Sequence, residues 1–546
     1  MHNKSKAIAL AATTTIICNS ATAQFDEDDV IRLNGSQPII SQDMFPNNRQ
    51  SDGANINGPS LIRIPDFIAR RNRVDRDANY LLYFGHHNGE YIRMAWAPDA
   101  FGPFTLYDAG ASIGDRGVLD DNRNIIQLDN DVDIQDSHLA SPDVHVDFEN
   151  RRFIMYFHAG GYRFEGRNIN SQRSWVNTSS DGLEFRRRDT EPVQLGASYF
   201  RVFEDDNTLY AMDNDGVPRR ARSFNNPWAP TNGYYNGDSL PSLWQTNPNN
   251  FYQDRIGDVT GESRSQRRIR HTGVRVSNRQ AQVFFTERGD QQEHIRVSNI
   301  NLNVNNWTNW NPTYPGNELL RPVSGWEGGQ FNTSRSEAGP APENVNQLRD
   351  PDIFEDDDGS LYLLYAGGGE DGIGIAALQS SRQTIRVAGA THDAVVRGGS
   401  QSGRNFRNND IAVQNSSGTG DRRSFLRFDE PDAPRTIRAA VLRLYAENSG
   451  NGGRLEISGI SSGLNFNEAT ITRNNAPSQG SLLARVDMGP RNQWYEFDVT
   501  QHVENARRNG TDVGFTFRGS STSQIRFTSS EGPSSRRPQL KYMYRN

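Results

Sequence analysis

The chain has 546 residues and a net charge of −7, with 34% hydrophobic and 23% charged residues, 49 glycines and 25 prolines. That length asks for more than one domain, and the glycine-, proline- and aromatic-rich mix favours turn-rich β structure over helical bundles, coiled coils or a polytopic membrane protein. All but three of the 59 basic residues are arginines, with no basic tail, which excludes nucleic acid as a first guess for a partner; arginine forks suit carboxylate or sulfate groups.

Residues 1–23 read as a secretory signal: Lys4 and Lys6, the apolar run from Ala7 to Cys18, then Ala21-Thr22-Ala23 before Gln24. Cys18 is the one cysteine, so the mature chain is expected to lack a disulfide and a lipid anchor. No later apolar run reaches the roughly 20 residues of a membrane helix. The expectation is a secreted or periplasmic monomer with no membrane partner.

From Gln24 to about residue 380 a strand–turn–strand unit recurs at intervals of roughly 60 to 80 residues. Second strands are predicted at Asn79–Phe84, Arg152–Phe157, Thr208–Met212, Ala281–Phe285 and Leu361–Tyr365. First strands precede them at Pro59–Ile64, Pro142–Val146, Tyr199–Phe203, Thr272–Val276 and Pro351–Phe354. Third strands follow in four units, for instance Tyr91–Trp96 and Gly372–Ala376, and the third unit is the weakest. Five antiparallel sheets of about four strands, set radially, make a five-bladed β-propeller, an all-β fold that leaves only short edges exposed.

In such a blade the loop entering the first strand and the loop leaving the second open on one face, so residues there are expected to line one funnel. Entering are Asn57, Asp143, His145, Arg201, Arg270, His271, Arg349 and Asp350; leaving are His86, His87, His158 and Glu287. Half of the ten histidines fall in these few places. Singly, each such residue has a blander role in capping a turn or bridging blades. Trp326 and Glu327 lie in the loop before the fifth unit, and Trp326 is a candidate to stack on a sugar ring.

Two chemistries suit that set. Glycosidic hydrolysis needs a carboxyl acid and a second carboxylate, for which Asp143 and Asp350 are candidates as base and electrostatic partner and Glu287 as acid. Elimination from a uronic acid needs a base and a carboxylate clamp: His145, His158 or His271 for the first, Arg201, Arg270 or Arg349 for the second. Asn57, His86 and His87 are placed as substrate-binding groups. No HExxH-type or cysteine-based metal spacing occurs, and no cofactor is expected.

The repeats resemble the five-bladed propellers of glycoside hydrolase families 43 and 32, over about residues 35 to 380. Asp143 in Ser141-Pro142-Asp143 matches their second-blade aspartate, and Arg349-Asp350-Pro351 has the family 32 wording in the last unit. Asn57 stands where the first-blade base is expected. The resemblance implies an enzyme that hydrolyses glycosidic bonds.

From about Thr384 the composition shifts to Gly, Ser, Asn and Arg, and alternation in Ala440–Tyr445 and Trp494–Val499 predicts a C-terminal β-sandwich over 384–546. Asp393–Arg397, Arg423–Asp429, Ile471–Pro477 and Phe527–Glu531 resemble, in order, the DNRLRE-type domain similar to carbohydrate-binding module family 96. That implies a polysaccharide or oligosaccharide partner, and an acidic algal one, since such modules accompany enzymes that act on algal polysaccharides. Three functions stay open in this order: hydrolysis of such a glycan, elimination at its uronic-acid residues, and binding without catalysis.

Overall fold

The computed structural model describes residues 24–45, 53–86, 91–107, 119–120, 132–133, 139–159, 162–164, 167–169, 172–185, 194–221, 244–249, 251–323, 325–407, 410–450 and 452–546. The signal segment expected over 1–23 and the site candidate His87 lie outside them.

The second strands carry large apolar residues on both faces, Tyr80–Gly85 reading YLLYFG, because both faces of a blade are covered by its neighbours. In the fourth unit, Phe284 joins a cluster with Leu348 and Leu363 of the fifth, while Phe285 joins Phe203 and Met212 of the third. Such clusters sit between every pair of adjacent blades, including the last and the first.

The blades are five antiparallel sheets. Blade 1 runs Asn57–Arg63, Tyr80–Gly85, Tyr91–Ala97, Thr105–Leu106, and blade 2 runs Leu139–Asp147, Arg152–Ala159, Arg173–Ser179, Gln194–Gly196. Blade 3 runs Arg201–Asp205, Thr208–Met212, Pro218–Ala221, Trp244–Thr246, and blade 4 runs Arg268–Ser277, Gln280–Arg288, Ile295–Asn301, Asn317–Leu320. Blade 5 has Leu348–Glu355, Leu361–Gly367 and Gly372–Leu378, and takes its fourth strand, Val30–Arg32, from the start of the chain. Val30 stands opposite Leu378, so the N-terminal segment closes the ring. First strands are innermost and adjoin all the way round, blades 2 and 3 being tied by hydrogen bonds from Arg201 to Pro142 O and from Val202 N to Asp143.

Two features depart from the sequence pattern. Blade 3 has the third strand its unit lacked, Pro218–Ala221, hidden by its Pro-Arg-Arg wording; Pro218 opens the strand, where proline is tolerated. Inner strands also begin earlier than predicted, at Asn57, Leu139, Arg268 and Leu348, because the ladder resumes beyond an irregular residue.

The C-terminal domain is a β-sandwich. One sheet contains Gln383–Gly389, Gln539–Arg545, Ile437–Ser449, Ile525–Phe527 and Ile411–Val413, with Gln493–Asp498 paired to the third of these. The other orders His392–Arg397, Arg422–Phe428, Val513–Gly519, Arg454–Ser462 and Ser478–Asp487. Helices are few, Tyr252–Thr260 and Thr500–Asn509, and no helix among the described residues is long and apolar enough to cross a membrane.

The domains share a core in which Ile31, Leu33 and Tyr362 pack with Ile385, Ala439, Val441 and Met543. At its edge Arg32 is clamped: Nε and Nη2 each donate at 2.8 Å to the two carboxylate oxygens of Glu327, and Nη1 donates at 2.8 Å to Glu496 of the sandwich. Trp326 stacks on Tyr365, ring centroids 6.0 Å apart, and donates its indole N–H to Ser36 O at 2.9 Å. The sugar-stacking role considered for Trp326 is therefore replaced by a structural one beside this joint.

Candidate active site

One residue of each inner-strand segment has left-handed backbone: Gly58 (φ 55°), Ser141 (49°), Tyr199 (62°), His271 (44°) and Asp350 (49°). Only one is glycine, and the conformation is disfavoured for the others. In blades 1, 2, 4 and 5 the ladder slips register at this point, which is the mark of a β-bulge, a device that re-aims a side chain.

The five left-handed residues form a ring around the channel mouth. Gly58 passes so close to blade 2 that a Cβ would lie 3.0 Å from Ser141 Cα, and its N–H donates to Asp350 Oδ2 at 3.2 Å. Asp350 Oδ1 touches Nδ1 of His271. The His271 ring lies over Tyr199, centroids 4.3 Å apart, and Tyr199 lies over His158 at 3.9 Å. An aromatic stack from blades 2, 3 and 4 thus ends on a carboxylate from blade 5.

Arg270 and Arg349, each preceding a bulge, stand behind the ring. Arg349 Nη1 donates to Glu370 Oε1 at 2.9 Å, and its Nε lies 3.5 Å from Glu293 Oε2; Arg270 Nε lies 3.4 Å from Glu293 Oε1. Burial, reinforced by Arg270 and Arg201, holds His271 well below the usual imidazole range, so its ring is neutral. A proton on Nδ1 would face Asp350 and leave Nε2 as the basic atom. Burial, with Glu370 adding, pushes the Tyr199 hydroxyl up to about 12, so it stays protonated.

Two residues deeper lies a second ring: Ser60, Asp143, Arg201, Gly273 and Asp352. Its members stitch neighbouring blades. Ser60 Oγ accepts from Val144 N at 3.0 Å, Asp143 Oδ2 from Val202 N at 2.7 Å and Asp352 from Leu61 N, while Arg201 Nε donates to Thr272 O at 3.1 Å. A Cβ on Gly273 would lie 2.9 Å from Pro351 O. Asp143 therefore has the blade-bridging role, two residues below the mouth where a catalytic partner of Asp350 was expected. His145 Nε2 lies 3.0 Å from its Oδ2, and both line a cavity of about 260 Å³ with Arg201 and Asp352. Burial opposes a charged His145, but the Asp143 carboxylate prevails and raises its pKa.

Burial, with Asp143 adding and Arg201 opposing, pushes the Asp352 carboxyl up to about 6. An unfolded aspartate titrates near 3.9. The native state therefore holds the extra proton between about pH 4 and pH 6, and this group's contribution to stability falls as pH rises through that window, by about 2–3 kcal/mol. Asp352→Asn keeps an acceptor for Leu61 N and is expected to remove that loss, so in urea unfolding the variant should gain stability relative to the native protein on going from pH 4.5 to pH 7.

Glu287 is not brought to the mouth. In blade 4 Arg270 pairs with Thr286 and Ile269 with Glu287, so Glu287 points to the opposite face of the sheet from Arg270. There it is buried in an ion pair with Arg267, which replaces the acid role considered for it. Asn57 is buried and donates to Asn55 Oδ1 at 2.9 Å; His86 is half-buried just past the second strand of blade 1. The structure adds Tyr199, Glu293 and Glu370. The glutamates sit in polar turns that read as solvated, yet are 0% and 4% exposed; the one sequence signal was Gly367-Gly368-Gly369 directly before Glu370. Among the described residues no group of three or more His, Cys, Asp or Glu side chains is placed to hold a metal ion.

Residues 385–544, the sandwich, match the model of carbohydrate-binding module family 96. Solved structures similar to the chain include an exo-β-1,3-galactanase from Phanerochaete chrysosporium, 9% identical over 90% of this chain and 96% of that one with a TM-score of 0.39. A glycosyl hydrolase from Bacteroides ovatus is 10% identical over 65% of this chain and 93% of that one, with a TM-score of 0.40. The architecture described above rests on the strand pairing itself. Among curated proteins, the uncharacterized protein R118 of Acanthamoeba polyphaga mimivirus is 31% identical over 326 residues, which is 59% of this chain and 83% of that protein, and the chain belongs to the same family as R118.

Proposed function

We propose that the protein is an exported enzyme that hydrolyses glycosidic bonds of a polysaccharide at the channel mouth. The observation that carries this is the contact of Asp350 with Nδ1 of a neutral His271. In such a dyad the carboxylate fixes the tautomer and stabilises the imidazolium, leaving Nε2 to take a proton from water as it attacks the anomeric carbon. Tyr199, beside the same ring and protonated at neutral pH, donates to the departing oxygen. The family 96 module holds the chain of sugars near the mouth. Export to the periplasm or medium rests on the signal pattern of residues 1–23.

The same geometry favours a second reading, elimination at a uronic-acid residue. Nε2 of His271 then removes the C5 proton, with the positive charge of Arg270 and Arg349 behind it as the enolate-like charge develops. Incubation with alginate, carrageenan, ulvan, xylan and arabinan, following reducing ends and absorbance near 235 nm together, separates the two. New reducing ends without absorbance are expected; a rise in both assigns elimination, and no change with any glycan sinks the enzymatic reading.

A further inference from the structure

Away from the channel, one end of the sandwich's second sheet gathers arginines. Arg397 and Arg422 pair across the ladder between His392–Arg397 and Arg422–Phe428. Arg423 and Arg518 stand one step beyond the last paired residues, Ser424 and Phe517, on adjacent strands. Arg473 reaches the same place from the loop after Ser462 and donates to Asp421 at 2.6 Å. All five arginines are half-buried.

Among the described residues the chain sets only two carboxylates beside these five charges, Asp421 and Glu456. Asp421 is engaged by Arg473, and Glu456, the register partner of Arg518, is engaged by Arg485 at 2.8 Å. Nε of Arg397, Arg422 and Arg518 and Nη1 of Arg473 are buried with no acceptor among the described residues, a costly state for a charged donor. Burial, with Arg473 and Arg518 adding, pushes Arg423 down to about 10, and burial with Arg397 lowers Arg422. Arg423, Arg473 and Arg518, cations that lower one another's affinity for the proton and keep donors unused within the chain, have the character of an anion site.

We propose that this end of the module binds a sulfate ester on a polysaccharide, with Arg423, Arg473 and Arg518 as its centre. Three neighbouring guanidinium groups supply enough forked donors for an anion with three terminal oxygens; a carboxylate offers two oxygens in one plane, which two forks already fill. The family 96 match makes a glycan the occupant, and nucleic acid, whose phosphodiesters also expose only two free oxygens, is an outcome of the test. The inference does not depend on the chemistry at the channel mouth.

The test is native electrophoresis of the full chain through gels holding iota-carrageenan, alginate, duplex DNA or no polymer. Retardation by carrageenan is expected, with at least tenfold weaker retardation by alginate and DNA at equal salt. The variant Arg423→Gln/Arg518→Gln is expected to lose at least tenfold in carrageenan affinity, while Arg454→Gln, which removes an exposed pair with Asp487, leaves it unchanged. Because the double variant relieves repulsion, its melting temperature without polymer is expected to equal or exceed that of the native protein. Equal or stronger retardation of the native protein by alginate or DNA overturns the proposal, a result that needs no variant to fold. Carrageenan binding untouched in a folded double variant overturns it as well.

Discussion

Asp350→Asn is expected to lower the rate of glycosidic cleavage by about 10²–10⁴-fold with the fold intact. The carboxylate serves two partners at once, Gly58 N–H through Oδ2 and His271 Nδ1 through Oδ1. An asparagine has one acceptor oxygen for those two donors. If it serves Gly58, its amide N–H₂ faces His271 and drives the proton to Nε2, where the base is needed; if it serves His271, the negative charge that stabilises the imidazolium is still gone. The loss should fall on kcat, with KM within a few-fold, because the residue acts through the base. His271→Ala should lose a similar factor, and combining the two should add little, since the pair acts as one unit. Melting temperatures within a few degrees of the native value, alongside the rate loss, separate this from unfolding; native rates in folded Asp350→Asn would sink the assignment.

The largest stability effect is expected at Arg32. Its side chain and those of Glu327 and Glu496 are 2%, 0% and 8% exposed, so three formal charges are held out of water by one another. Removing the cation leaves two buried carboxylates, and a broken buried pair of this kind costs about 3–5 kcal/mol. Other donors soften the loss: Tyr365 OH and Val323 N still reach Glu327 at 2.7 and 2.9 Å, and Arg443 Nε still reaches Glu496 at 3.0 Å. Arg32→Met is therefore expected to lower unfolding free energy by about 3 kcal/mol in urea at pH 7. Arg32→Lys, which restores charge without the planar fork, should recover only part. A double variant Arg32→Met/Glu327→Gln, removing both partners, should be less destabilised than Arg32→Met alone.

The repeat was legible because blade faces are buried on both sides, so each second strand announces itself as an unbroken apolar run such as Leu361–Tyr365. Blade 3 was faint because its third strand begins at a proline and carries two arginines. Asp350, His271 and His158 stand together where residue type and position in the repeat place them. Asp143 was misplaced by two residues, since the left-handed kink at Ser141 decides which carboxylate reaches the mouth, and a kink on a serine leaves no mark in the sequence. Glu287 was misread for a related reason: alternation along a strand assigns faces only once register is known, and here Thr286 faces with Arg270. Glu293 and Glu370 look like solvated turn residues until the chain folds arginines over them.

Closure of the ring by Val30–Arg32 sets an order on assembly. Val30–Arg32 precedes all the blades in sequence and has its partner, Gly372–Leu378, in the last of them, so this pairing joins segments more than 340 residues apart. Contacts so distant in sequence form slowly, because the chain entropy of closing that loop is lost before any packing is regained. The sandwich then sets the latch: Lys541, from its last strand, donates to Val30 O at 3.1 Å, and Arg443 pairs with Glu27 just ahead of that strand at 3.0 Å. Residues 27–32 and the strand Gln539–Arg545 are thus fastened to each other, and a protein lacking residues 539–545 is a ring that has not been locked.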